Sequence, residues 1–439
     1  MNPSFIATLS RSSMLLISAC VSLWGLLLSG CPAPTQPPVQ TLELSADYIG
    51  AKEVWLGVRL LDSSQPRTVV IKRNENVIYS NQDAAAEILF VDSLLAPKQT
   101  YSYRAERPGK ENDLPVTINI TTLDTTSHAV SWTVDTLGAQ GLIRDVWAFD
   151  QNNIWAVGEI YLRDSTGQID MSNLYNVARW DRNGWTLSKG APVSFNTIFA
   201  FSSTDVWAGT SAPYHWDGTS WRGFNVTGIF NGTITEIWGT NSSNVYIVGT
   251  NGSIAHYNGT TWRKMESGTT VDLEDVWGID EKHIWATGTS TQIGRSVILF
   301  FDGTRWSTLY DTETQPISSR FGYSSVWSNS SKVLHLAGQG GVRWFHQPTR
   351  TFKRQQTGQR YISYHLHATL QNDIFVVGGA GEAAHFNGAS WYLYPELKND
   401  TEFSFSIFLT VQMRPRFVAI GGLIFTGLNG FPVVVRGYR

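Results

Sequence analysis

One short unit recurs along most of this chain, and it limits the possible folds more than any other feature. "DVWAFDQNNIWAVG", beginning at Asp145, returns as "TIFAFSSTDVWAGT", "EIWGTNSSNVYIVG", "DVWGIDEKHIWATG", "SVWSNSSKVLHLAG" and "HLHATLQNDIFVVG", and weakly as "IFLTVQMRPRFVAIGG" from Ile407. Each holds two apolar runs about a polar turn, which reads as strand, turn, strand. A second pair follows in most units: "YHWDGTSWRGF", "AHYNGTTWRKM", "LFFDGTRWSTL" and "AHFNGASWYLY" are joined at Asp-Gly or Asn-Gly. Those dipeptides accept positive φ at both central positions, so two-residue hairpins are expected.

Four strands per unit, with successive terminal aromatics (Trp185, Trp221, Trp262, Trp306, Phe352, Trp391) 36 to 46 residues apart, form the pattern of β-propeller blades. Seven units can be counted, and the last lacks an outer strand. "AVSWTVDTL", residues 129–137, has the character of that strand and stands alone ahead of the first unit. It is expected to pair with the C-terminal unit and close the ring. Trp277 and Trp285 then fill the space between neighbouring sheets. His215, His256 and His385 share one repeat position and read as framework rather than ligands.

The units resemble the short "WAVG" propellers of bacterial surface proteins, and "DG-x-x-W" is similar to the second half of the Asp-box of sialidase-type propellers. Propellers of photosystem assembly factors share the look. The resemblance covers residues 129–439 and implies a fold rather than an activity, since Asp-boxes are turn elements away from catalysis.

Residues 41–126 hold shorter alternating segments, among them "KEVWLGVRLL", "TVVIKRNENVIYS" and "QTYSYRAER", which read as half-buried strands of a sandwich. The segment resembles a fibronectin type III domain. That resemblance implies a core role for Trp55 and a tyrosine corner in which Leu95, Pro97 and either Tyr101 or Tyr103 fix a crossover. The expected fold class is therefore all-β: a fibronectin type III-like sandwich, residues 41–126, then a seven-bladed β-propeller, residues 127–439.

Ahead of both, an apolar stretch from Met14 to Leu28 runs into "LSGC". It has the length of a signal h-region and is short of a membrane span. The motif is similar to a bacterial lipoprotein signal, which implies cleavage after residue 30 and a lipid on Cys31. Residues 31–40, "CPAPTQPPVQ", form a stiff Pro-rich spacer. Cys20 leaves with the signal, and of the 2 cysteines only the acylated one remains, which excludes disulfides and thiol chemistry. Net charge is −3 with no basic cluster, so no nucleic-acid partner is expected. A membrane-anchored lipoprotein of the outer membrane or cell surface is expected, with a protein or glycan as partner and no cofactor.

Ligands on such rings usually meet the face formed by the connections between sheets. Three insertions break the period there, at residues 159–175, 289–295 and 423–431. Residues near the start of the innermost strands, Arg144, Asp145, Glu236, Glu274, Asp275, Arg320, Arg360 and His365, form the candidate binding face. A sialidase-like enzyme is the alternative. It would use Arg144, Arg320 and Arg360 to grip a carboxylate, with Tyr361 or Tyr364 as nucleophile. "YHLH" sets His365 and His367 on one strand face as metal ligands stand, without a companion carboxylate or Cys, so no metal is expected.

Overall fold

The computed structural model describes residues 37–439 except 66, 111, 291, 293, 315–320, 399–403 and 428. The lipoprotein-like signal, Cys31 and Arg320 lie outside the described residues. The fold is all-β, with nine antiparallel sheets, eight of four strands and one of three.

Two sheets form the N-terminal part. Leu42–Ile49, Glu53–Leu60 and Glu87–Ser93 make a three-stranded sheet, and Asn76–Asn81, Val69–Arg73, Thr100–Glu106 and Val116–Thr121 a four-stranded one. Their alternating apolar residues meet in one core of Leu42, Val54, Leu56, Val69, Ile71 and Tyr103, as sandwich packing requires. The two candidate corner tyrosines divide their work. The Ala96 N–H donates to Tyr101 Oη at 2.9 Å, whereas Tyr103 Oη donates to the buried Asp92 at 2.7 Å.

Seven four-stranded sheets, here A to G, follow in chain order. Their first strands are Gln140–Asp150, Thr197–Ser202, Ile234–Asn241, Leu273–Asp280, Tyr323–Trp327, Ser363–Leu370 and Ser404–Arg414. Each first strand touches the next, and that of G returns to that of A. The fourth strand of G is Ser131–Thr136, which pairs with Asn429–Tyr438 from Val433 opposite Thr136 to Tyr438 opposite Ser131. Asp135 on this strand accepts from Arg436 Nε at 2.5 Å and from Trp185 Nε1 of sheet A at 3.0 Å.

The second strands are apolar on both faces because each sheet is covered on both sides. Trp155, Trp207 and Trp285 are at most 3% exposed. Trp277 Nε1 donates to the Ser328 carbonyl at 2.7 Å, and Trp285 Nε1 to Gln347 at 3.0 Å; both partners belong to E, so these rings do fill the space between sheets D and E. The glycine ending "WAVG" is required by close approach. A Cβ on Gly249 would stand 2.0 Å from the Thr233 carbonyl oxygen, and one on Gly338 1.9 Å from that of Gly322.

The Asp-Gly and Asn-Gly turns differ from expectation. Pairing stops at Trp216 opposite Trp221, leaving four residues in the loop, and only the glycine has positive φ, 99° at Gly218. Asp217 Oδ1 accepts from the backbone N–H groups of Thr219 and Ser220 at 2.8 and 2.9 Å. Asn258, Asp302 and Asn387 do the same. The acidic or amide side chain thus satisfies the turn's donors itself, which favours this longer loop over the two-residue hairpin.

The sandwich is seated on sheets E and F. Asp47, buried in its first strand, accepts from Lys332 Nζ at 2.7 Å and His346 Nε2 at 2.9 Å. Tyr48 packs against Trp344, tilted by 38° with centroids 4.9 Å apart, and its hydroxyl donates to the Gln371 carbonyl at 3.2 Å. Glu53 pairs with Lys353. Trp55 is buried as expected, but in the cluster shared with Trp344, Leu366 and Phe386 of the ring, not in the sandwich's own core. Lys332, His346 and Gln371 lie at the turns between first and second or third and fourth strands, so the sandwich occupies the side opposite the candidate face.

Candidate functional site

The candidate residues fall on one irregularity of the repeat. In sheets A, C, D, E, F and G the register of the first strand slips by one residue, at Arg144, Thr235, Glu274, Ser324, Tyr364 and Leu409. Such bulges re-aim the side chain that follows. The residues after the slip, with Thr197 of sheet B, form a belt: Asp145, Thr197, Glu236, Asp275, Ser325, His365 and Thr410.

The belt ties six of the seven sheet junctions, and at the C to D junction the bulge residue Thr235 donates its hydroxyl to the Leu273 carbonyl at 2.7 Å instead. Thr410 Oγ1 donates to Asp145 Oδ1 at 2.6 Å, and the Ile198 N–H to Asp145 Oδ2 at 2.8 Å. Thr197 Oγ1 donates to Glu236 at 2.7 Å. Asp275 Oδ2 accepts from Ser325 Oγ and the Val326 N–H, both at 2.8 Å. The Leu366 N–H donates to Ser325 Oγ at 3.2 Å, and the Val411 N–H to His365 Nδ1 at 3.2 Å. His367 accepts from the Met413 N–H in the same way at 3.2 Å. The two histidines on one strand face therefore have a framework role.

Electrostatics follow from burial. Desolvation raises the pKa of Asp145 and Asp275, and raises Glu236 well above the usual carboxylate range, with Asp145 and Asp275 adding repulsion. Glu274, at the bulge, faces water but is walled by neighbouring strands; burial, then Asp272 and Asp275, push it up to about 7. Burial, with Arg414 and His365 nearby, holds His367 well below its ordinary value. The cavity the belt surrounds measures about 20 Å³, which is room for about one water and far below the ~300 Å³ of a small-molecule site.

A carboxyl whose folded pKa is raised stabilises the fold below its unfolded pKa and loses that contribution as pH climbs toward the folded value. Glu236→Gln, which keeps the acceptor for Thr197, is therefore expected to stabilise the protein at pH 7 by about 1 kcal/mol or more. The gain should vanish near pH 4. Urea unfolding at the two pH values checks this, and an equal effect at both refutes it.

The remaining candidates do not join this belt. Arg144 is held by Glu159 at 2.7 Å. Arg360 and Tyr361 donate their backbone N–H groups to the buried Glu382 at 2.8 and 3.0 Å, and their side chains are exposed. Among the described residues no group of three or more His, Cys, Asp and Glu is arranged to hold a metal. The repeated histidines each stack on a second-strand aromatic and bond its strand: His215 on Trp207 at 4.5 Å with Asp205 at 2.8 Å, and His385 on Phe375 at 4.7 Å with Asp373 at 2.8 Å. His256 repeats this on Tyr246 with Asn244. Sequence reading missed Thr197, Ser325 and Thr410, although Thr197 and Ser325 begin their quoted units as Asp145 does.

The insertions build the other notable feature of this face. The loop after Asn153–Tyr161 in sheet A closes with an Arg163–Ile169 bridge, and the second and third strands of G, Phe417–Thr426 and Asn429–Tyr438, run past the other sheets. They adjoin: the Ala139 N–H donates to the Tyr161 carbonyl at 2.8 Å, and the Leu137 N–H to that of Pro432 at 2.9 Å. The resulting ridge exposes Leu162, Met171 and Phe405, the last stacked on Phe425 at 4.4 Å. The insertion in D is instead pinned by Arg295 to Asp311 and Glu313.

No family model matches this chain, and no curated protein matches it. Solved structures do. "YCF48 bound to D1 peptide" is 14% identical with a TM-score of 0.52, over 70% of this chain and 97% of that one. "YCF48 from Cyanidioschyzon merolae" is 14% identical with a TM-score of 0.51, over 70% and 98%. The WD40 β-propeller domain of Doa1 is 10% identical with a TM-score of 0.52, over 71% and 98%. At these identities the likeness is one of architecture, and it makes the ring of sheets in this chain a multi-bladed β-propeller.

Proposed function

We propose that this chain is a non-enzymatic, lipid-anchored protein of the cell envelope whose propeller binds a protein partner. In this reading residues 1–30 are a lipoprotein signal, Cys31 carries the lipid and residues 31–40 are a spacer. Residues 41–126 are a fibronectin type III-like stalk, and residues 127–439 a seven-bladed propeller closed by its N-terminal outer strand. The three-plus-four sandwich and the Tyr101 corner support the stalk assignment, and the return of sheet G to sheet A supports the closed ring. The observation that carries the binding role is the ridge of sheets A and G, which places Leu162, Met171 and Phe405 in water on the face away from the sandwich. Apolar groups clustered on a raised rim suit a protein contact. The neighbour solved with a D1 peptide is a propeller that binds a protein segment. A sialidase-like activity has no comparable support, because Arg144 is neutralised by Glu159 and the belt encloses no substrate-sized space.

Two measurements test the reading. Metabolic labelling with an alkyne fatty acid should mark the wild type and not Cys31→Ser; an unlabelled wild type removes the anchor. Cross-linked capture by the full chain should be lost when residues 162–174 are replaced by a two-residue turn, with melting unchanged. Capture that survives the replacement removes the ridge from the binding role.

A further inference from the structure

One position on the fourth strand of a ring sheet plugs the gap to the next sheet. In B it is Phe224, stacked on Trp207 at 5.5 Å and edge-on to Tyr257 and Trp262 of C at 5.5 and 6.3 Å. Its counterparts, in matching register, are Met265 in C, Tyr310 in D and Tyr394 in F. Three sheets depart from this. Sheet A has Ser188, opposite Val177, and sheet E has Gln355, opposite Val342. In sheet G the position is Asp135, opposite Val434, and its carboxylate accepts from Trp185 Nε1 of sheet A at 3.0 Å.

The gap beside E is not empty. Tyr48 of the sandwich stands 4.9 Å from Trp344 and 6.1 Å from His335, and Trp55 lies 6.1 Å from His346 and 5.9 Å from Lys353 Nζ. Carboxylates arrive beside these rings, Asp47 on His346 and Glu53 on Lys353. The pairing of His335, Trp344 and Lys353 across sheet E matches that of Trp155, Arg179 and Thr186 across sheet A.

Beside A the gap is open. A cleft of about 320 Å³ remains, walled by Trp155, Arg179, Ser188, Trp216 and Trp221. The Arg179 guanidinium lies 5.2 Å over Trp155, and its buried Nε has no hydrogen-bond partner among the described residues. Trp216 and Trp221 are half-exposed, and Trp216 Nε1 also lacks a partner. A buried donor without an acceptor is costly, and here it borders a space of the size that holds a side chain.

We infer that the cleft between sheets A and B is a socket for an aromatic side chain of a partner protein, a Trp or Tyr with a carboxylate close by, seated as Tyr48 and Trp55 are seated beside sheet E. The ring contributes stacking surface, and Arg179 the cation that the neighbouring carboxylate meets. This socket lies on the outer wall of the ring, apart from the ridge, so each can fail without the other.

The test uses the full chain labelled at its indole nitrogens and the tetrapeptide acetyl-Glu-Val-Trp-Leu-amide, which copies residues 53–56. The Trp216 and Trp221 indole signals should shift saturably with the peptide, and not with its Trp→Ala analogue. Ser188→Phe, which supplies the ring that sheet B carries, should weaken the peptide about tenfold or more while melting at or above the wild-type temperature. Ser188→Met, after Met265, serves if the larger ring prevents folding. Indoles that do not respond, or respond equally in the filled variants, overturn the proposal. Methyl glycosides that shift them while the peptide does not make the cleft a carbohydrate site and overturn it equally.

Discussion

Trp55→Ala is expected to cost about 3–5 kcal/mol and to uncouple two parts of the molecule that otherwise melt as one. The indole is 1% exposed and packs between the sandwich and Trp344 of sheet E, so its removal opens a void at the junction and not in either core. Tyr48, Asp47 and Glu53 remain but lose the packing that excludes water from them. Calorimetry should show a single transition in the wild type and two in the variant, with the lower one belonging to the sandwich. Retention of one transition with an unchanged midpoint would falsify a fixed seating. The junction should also respond to acid. Asp47 is held below the ordinary carboxylate range: burial opposes this, but hydrogen bonds from His346, Lys332 and Ser45 outweigh it. Its contribution is therefore present above its unfolded pKa and lost as pH falls through the lower folded value.

Asp135→Ala should have the next largest effect, about 3 kcal/mol, because it leaves the largely buried Arg436 without its carboxylate partner. The guanidinium also lies 3.9 Å over Trp180 of sheet A, so the loss falls on the seam between the last and first sheets. Urea unfolding measures the cost, and hydrogen exchange locates it: protection should drop first in Ser131–Thr136 and Asn429–Tyr438. A uniform drop across all sheets refutes a local seam.

The repeat was legible because each unit states its period twice, in second-strand aromatics such as Trp285 and in the glycine that ends them. The stray strand "AVSWTVDTL" was legible because sheet G visibly lacked a partner for it. The belt was half legible. Asp145, Glu236, Asp275 and His365 stood out as ionisable groups, but Asp145, Asp275 and His365 work by accepting backbone N–H groups of the next sheet and Glu236 by accepting the Thr197 hydroxyl of the sheet before it, and only the bulge before each one aims it there. Thr197, Ser325 and Thr410 also link neighbouring sheets, Thr197 and Thr410 by donating to Glu236 and Asp145 and Ser325 by donating to Asp275 and accepting the Leu366 N–H, and a hydroxyl in a strand carries no sign of it. The turn chemistry was misjudged because Asp217 and its counterparts bond their own loops, which spacing alone does not reveal. The junction was hidden for a different reason. Tyr48 and Trp55 sit in strands that already need apolar residues, so nothing in their local pattern distinguishes a ring that packs inward from one that packs on a second domain.

The pairing of Asp135 with Arg436 joins residues 301 positions apart, and that separation fixes an order of events during synthesis. A ribosome delivers Ser131–Thr136 long before Asn429–Tyr438, so this strand must wait, unpaired and pairing-competent, while the intervening sheets form. Exposed strand edges are aggregation hazards for as long as they stay exposed. Val130 and Trp132 flank the waiting edge, and both end packed against the last sheets. Any premature stop beyond the sixth unit would leave that edge permanently without a mate. A chain built this way can shut its seam only once Asn429–Tyr438 has been synthesised.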